Sequence, residues 1–293
     1  MTLINVEASI PSYMWAVARL LLACGGAVDE ATAKLLLTPP SLPAGDNNTE
    51  YNAAIKTLAE LGLVTVAAGT VELTPPVRAL SIDDVAGFNA QLRAAALDPV
   101  RNEGLVTSPD LGGPKDLVRA LSWFLQQDVN TPLGWTEVEQ LQVDAFPPPL
   151  PLPFADNSSR WNRFIYWGPA LGLAAPPLRP EGTAARLVPD CTIAVRETML
   201  SLWKEGHSMR PSEAIAGVLA ELPVLPGGRY SRSLGLAAPQ DVIPASLSNA
   251  LLSGHEAGWI TLDQKSDAAD VIFLLDADGT RVPVSNVVIN GGE

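Results

Sequence analysis

The chain has 293 residues, 47% of them hydrophobic, with 19 Lys and Arg against 32 Asp and Glu for a formal charge of −13. That is enough apolar material for about two ordinary cores, and it excludes a polybasic coat that would hold nucleic acid or an anionic membrane by bulk charge. The two cysteines, Cys24 and Cys191, stand alone in apolar stretches, which excludes a disulfide framework or a cysteine zinc site and places both as small core residues.

The opening MTLINVEASIPS has no basic, long-apolar leader. The longest apolar stretch, Met14 to Val28, carries Arg19 and two glycines and is too short to span a bilayer. A cytoplasmic protein without a membrane partner is expected. Trp15–Ala23 has apolar residues at three- and four-residue spacing, as an amphipathic helix does, and Asp29–Leu36 reads as a second, shorter helix. Asn48–Pro75 then reads as a helix ending at Gly62, a short strand, a polar turn and a second strand. A glycine suits the left-handed position that closes a helix, and the two strands read as a hairpin, or wing. Ser81–Leu97 is a further helix, with Val85, Phe88, Leu92 and Ala96 on one side, followed by a loose stretch to Pro114.

The same order returns twice. Leu117–Leu125 and Thr136–Val143 are helical, FPPPLPLPF at Phe146–Phe154 is a stiff polyproline-like spacer laid over the core, and a third helix runs to Gly172 before a wing. Ile193–Trp203 and Pro211–Leu222 are again helical, and Ala245–Asp276 is a helix to Gly258 followed by a wing. Three helices and a two-stranded wing make the winged form of helix-turn-helix. The expected fold is therefore mainly α, of α+β class, with tandem winged helix-turn-helix units and small β-hairpin wings. Its divisions are 1–80, a helical linker over 81–114, 115–191 with the proline-rich insertion, and 192–293. Aligned on their glycines, the third helices turn Tyr51, Ile55, Leu58 and Leu61 inward in the first unit. Trp161, Ile165 and Leu171 are the inward set in the second, and Leu247 and Leu251 in the third. Trp15 and Leu20 should join Ile55 and Leu58 in one core.

Reactive chemistry is sparse. Two histidines, His207 and His255, leave little for a Ser-His-Asp or Cys-His centre. No phosphate loop, nucleophile elbow or dinucleotide glycine pattern occurs. LLDADGT around Asp276 and Asp278 reads as a hairpin turn rather than a calcium loop, and Glu137 and Glu139 suit a helix start. No catalytic residue, metal or cofactor is expected.

Charge is uneven. Residues 156–235 hold nine basic and seven acidic residues, a net of +2, while the remainder carries −15. Within that stretch the outward set of the second unit's third helix is Arg160, Asn162, Arg163 and Tyr166, two guanidiniums, an amide and a phenol able to meet phosphates and base edges. The first unit offers Glu50, Asn52 and Lys56 there, and the third Ser246, Ser248 and Asn249. Pro169 implies a kink or an early stop. A second candidate is GGRYSRS at Gly227–Ser233, a loop whose Arg229, Tyr230 and Arg232 could run along a phosphate backbone and stack a base.

The opening LINVEASIPSYMWAVARLLLACGG, with the repeated helix–glycine–wing units, resembles the DpdG family, accessory proteins of bacterial gene clusters that place 7-deazapurines in DNA and restrict unmodified phage DNA. The resemblance implies work within a multi-protein DNA-modification or anti-phage defence system and carries no functional residues over. Residues and resemblance together give a non-enzymatic tandem winged-helix protein that contacts double-stranded DNA or bridges DNA to other proteins of its system. The alternative is a protein–protein interaction scaffold that does not touch DNA.

Overall fold

The computed structural model describes residues 2–6, 8–38, 49–107, 112–146, 152–154, 158–179, 182, 184–236, 241–265 and 270–291. The fold is mixed, with helices predominating over small antiparallel sheets, as an α+β class requires. Among the described residues no helix is long and apolar enough to cross a membrane.

The elements in order are α1 (Pro11–Ala23), β1 (Ala27–Asp29), α2 (Glu30–Leu37), α3 (Thr49–Glu60), β2 (Val64–Ala67), β3 (Thr70–Leu73), α4 (Pro75–Arg78) and α5 (Val85–Leu97). Then come α6 (Lys115–Phe124), α7 (Trp135–Ala145), α8 (Ser158–Ala170), α9 (Thr192–Leu202), β4 (Ser208–Met209), α10 (Pro211–Glu221), α11 (Arg229–Ser233) and α12 (Ala245–Glu256). The last are β5 (Ile260–Asp263), β6 (Ile272–Leu275), β7 (Arg281–Val284) and β8 (Asn286–Ile289). They fall into two compact units. The first comprises Met1–Gly104, Ser108–Leu117 and Asp156–Leu171, and the second Leu105–Thr107, Val118–Ala155 and Gly172–Glu293.

Local chemistry sets the ends of these elements. Pro11 occupies the first turn of α1, where its missing N–H costs nothing. The Asp29 carboxylate accepts the Thr32 N–H at 2.9 Å and starts α2, and those bonds hold its pKa below the usual range. The Asp84 carboxylate likewise starts α5, accepting the Gly87 N–H at 2.8 Å. At the end of α3 the Leu63 N–H returns to the Leu58 carbonyl at 2.8 Å across Gly62, whose φ of +68° a side chain rarely adopts. Gly172 and Gly258 close α8 and α12 with φ of +68° and +82°. All three glycines thus stand at the helix ends the sequence assigns them.

In the first unit β2 and β3 meet through a two-residue turn with Ala68 and Gly69 both at positive φ, the primed geometry that suits strand twist. β1 then adds to β3, giving the order β1-β3-β2. Met14, Val17, Ala18 and Leu21 of α1 are buried, as are Tyr51, Ile55, Leu58 and Leu61 of the α3 region. Trp15 and Leu20 are only half-buried rather than central; Trp15 leans on Phe88 of α5, ring centroids 5.3 Å apart. Cys24 is exposed at the α1 C-terminus, where the chain turns out through Gly25, and is no core residue.

The second unit repeats that strand order with an insertion. β4, β8 and β5 form a sheet in the order β4-β8-β5, with Ile260 opposite Ile289. The expected wing partner of β5, the IFLL strand β6, pairs instead with β7. The reason lies in the DADGT turn, where Gly279 at φ +82° and a bond from the Asp276 N–H to the Thr280 carbonyl at 2.9 Å fold β6 tightly back on β7. Among the described residues the wing expected after Gly172 is not a strand pair either. It is reduced among them to the isolated bridges Ala175 with Val188 and Leu133 with Leu187, because Pro176 and Pro177 have no N–H to extend a ladder. Ser246 and Ser248, expected to face outward, are buried: the Ser246 hydroxyl donates to the Leu125 carbonyl and the Ser248 hydroxyl to that of Ile243. Pro147–Pro151 of the spacer lie outside the described residues, while its end residues Phe146 and Phe154 are buried.

Leu58→Ala removes a side chain with no solvent exposure and should cost roughly 2–5 kcal/mol in denaturant unfolding. Gly62→Ala and Gly258→Ala both force alanine to positive φ, about 1 kcal/mol each. A Cβ at 62 would also come within 2.5 Å of Arg101 Nη2, whereas one at 258 meets open space. Gly62→Ala should therefore show the larger loss.

Candidate nucleic-acid interface

The helix expected to read DNA, α8, belongs to the first unit. Its buried residues are Trp161, Phe164, Trp167 and Gly168, and Leu171 lies inside just beyond them. Ile165, expected inward, is half-exposed; the aromatic rings at 161, 164 and 167 take the inner side and turn it away. Trp161 and Phe164 stack at 5.5 Å, and the Trp167 indole N–H donates to the Ser9 carbonyl at 2.9 Å. The helix ends one residue beyond Pro169.

At about 100° per residue, this inner side leaves Asn162, Arg163 and Tyr166 together on the outer one. Asn162 and Tyr166 are exposed, Tyr166 by 49%, and Arg163 is half-exposed. Arg160 falls at the edge of the inner side, beside the direction of Trp167 and Phe164. Its charge acts on Asp116. Asp156 and Glu181, two acids of the same stretch, lie outside the described residues.

Asp116 is a residue that sequence reasoning missed. Its carboxylate is shut from solvent and holds the N-terminal segment: Oδ1 accepts the N–H of Leu3 at 3.1 Å and of Leu117 at 2.8 Å, and Oδ2 that of Ile4 at 3.0 Å. Burial pushes it up to about 6, against the pull of the three backbone donors and of Arg160. Two arginines were also missed. Arg101 Nη2 donates to the Leu61 carbonyl at 2.8 Å, and Arg93 Nη1 to the Leu171 carbonyl at 3.0 Å. Each meets the negative end of a helix just before its closing glycine.

Arg229, Tyr230 and Arg232 lie in the second unit, apart from the α8 set in the division of the chain. The expected loop is the short helix α11. Arg229 and Arg232 are exposed, but Tyr230 is only 4% exposed, so its ring is not offered to a base. It binds Arg229 instead: the guanidinium lies 4.8 Å from the ring centroid and donates to the phenol oxygen at 2.9 Å. On the first unit's α3, Glu50, Asn52 and Lys56 are exposed as expected and mix both signs of charge. Glu137 sits at the start of α7, where it accepts the Gly134 N–H and pairs with Arg186.

Cys191 is fully buried, its thiol donating to the Ser246 carbonyl at 3.3 Å, and burial pushes its pKa far above the ordinary thiol value. One thiol per chain, that of Cys24, should react with a disulfide reagent in the native protein, and the second only after unfolding. Two fast equivalents would refute the burial of Cys191.

A family model described as DpdG-like matches residues 1–268. No curated protein and no solved structure matches the chain.

Proposed function

Since this chain belongs to the DpdG-like family across residues 1–268 and so has a part in a DpdG-related system, we propose that its part is non-enzymatic: a cytoplasmic winged-helix protein that contacts duplex DNA through the outer side of α8 and brings it to other proteins of that system. The observation that carries this reading is the trio Asn162, Arg163 and Tyr166 on one exposed side of a helix whose other side is locked by aromatic burial. An amide, a guanidinium and a phenol on a rigid helix are the groups that meet base edges and phosphates in a groove.

The winged-helix description is supported by strand order. α1, β1, α2, α3, β2 and β3 with the order β1-β3-β2 match the winged arrangement, and α9, β4, α10, α12, β5 and β8 with the order β4-β8-β5 repeat it around an inserted hairpin. The absence of a catalytic role is supported by the shortage of histidine and by a Cys191 thiol held protonated in the core. Arg229 and Arg232 remain exposed basic groups that can meet phosphates.

The second reading is a scaffold that binds proteins alone. It draws on Leu35 and Leu36, adjacent on α2 and 61% and 57% exposed.

A gel-shift series with duplex DNA across a salt gradient separates them. On the DNA reading, affinity falls with salt at a log–log slope of about −0.9 per phosphate neutralised, and Arg163→Ala with Tyr166→Ala weakens binding at least tenfold, with the folding of the variant checked by denaturant unfolding. Absence of binding at low salt, or binding untouched by the double change, favours the scaffold.

A further inference from the structure

The N-terminal segment is covered on its inner side more completely than its composition suggests. Leu3 and Ile4 are 1% and 0% exposed, and Ala8 and Ile10 are buried. Polar contacts hold it at both ends. Leu3 and Ile4 give their N–H groups to Asp116, Thr2 bridges to Gly113, Ser9 shares a 2.9 Å hydroxyl bond with Thr57 of α3, and its carbonyl accepts the Trp167 indole of α8. Leu3 and Ile4 are thus both a lid over a carboxylate and its hydrogen-bond partners.

We infer that residues 2–6 and 8–10 form a strap that closes over Asp116 with uptake of a proton, and that Arg160 of α8 sets how firmly the strap holds at neutral pH. The geometry requires a coupling. Closing the strap takes a carboxylate out of water, which penalises its charged form, and opening the strap returns that carboxylate to solvent. The closed state therefore binds the proton more tightly, in keeping with a value near 6 against an ordinary 3.8. By linkage, a carboxyl whose pKa is raised on closure makes closure most favourable at acid pH and progressively less so as pH rises through the window from about 4 to about 6. Among the described residues, Arg160 on α8 is the charge that acts on it, and Lys115 and Arg119 share its helix α6. Thr2 to Val6 carry none, and Glu7 lies outside the described residues. Arg160 offsets part of the burial cost of the ionised carboxylate, so it is a positioning residue for the strap.

Amide exchange of the full chain, monitored by NMR, tests this without any ligand. Protection factors at Leu3 and Ile4, taken relative to the Leu58 amide in α3, should fall about tenfold or more between pH 4.5 and pH 7.5. Arg160→Gln should lower them further at pH 7 and move the fall to higher pH, while Leu58 stays protected. Asp116→Asn should flatten the profile. Should that variant fail to fold, the wild-type profile and Arg160→Gln still decide. Protection at Leu3 and Ile4 that tracks Leu58 at every pH, or a profile unchanged by Arg160→Gln, overturns the inference. None of these outcomes depends on whether the protein binds DNA.

Discussion

Three large aromatic side chains on one helix must be buried, and the rest of the first unit depends on where α8 buries them. Fully covering rings of that size contributes on the order of 2–3 kcal/mol each, more than any single polar contact on the helix. Trp167 adds a demand of its own, because a buried indole N–H needs an acceptor. It finds the Ser9 carbonyl, 158 residues away in the chain. The chain accordingly passes into the second unit at Val118, returns to the first for Asp156–Leu171, and leaves again at Gly172. A helix placed this way has no freedom about which side it shows. The exposure of Asn162 and Tyr166 is a consequence of the burial of Trp161, Phe164 and Trp167.

The stretch after α4 has a second function beyond connecting two parts of the chain. From α5 and the turn after it come Arg93 and Arg101, which reach the last carbonyls of α8 and α3. Helix C-termini carry unsatisfied carbonyls and partial negative charge, so a guanidinium there answers both. Phe88, Leu92, Ala96 and Leu97 bury the apolar side of α5. The same segment therefore fastens two helices that lie more than a hundred residues apart in sequence, each at the residue before its closing glycine.

How much of this could be read in the sequence depends on the range of the interaction. The helix ends at Gly62, Gly172 and Gly258 were legible because a left-handed closing residue is a local demand. So were the inward residues of α3, where a clean apolar periodicity leaves one choice of face. Strand pairing was not. β5 is followed by β6, and nothing local says that a DADGT hairpin will claim β6 and leave the NVVI strand, 23 residues beyond β5, to complete the sheet. Ser246 and Ser248 misled for a related reason: a hydroxyl reads as outward until a carbonyl from a distant turn is there to receive it. In the candidate interface the residue types on α8 were legible, but their division was not. Asp116 looks like an ordinary acid in a helix's first turn, and only its burial beneath Leu3 and Ile4 shows that Arg160 has a partner within the protein.

That division changes what an anion at α8 would do. On the proposed reading, Arg163 would meet a phosphate from the outer side, with Asn162 and Tyr166. The charge of Arg160 also acts on a buried carboxylate, so a phosphate there would compete with that acid. A phosphate that drew its guanidinium outward would leave Asp116 with backbone donors alone and raise its proton affinity further. At neutral pH, by the linkage that governs strap closure, the segment over Asp116 would then loosen. Its far end holds the Trp167 indole through Ser9, so the loosening would reach the buried side of α8 itself. A chain with a formal charge of −13 thus sets Asn162, Arg163 and Tyr166 on one side of a helix that at its other edge carries Arg160, whose charge acts on an internal acid.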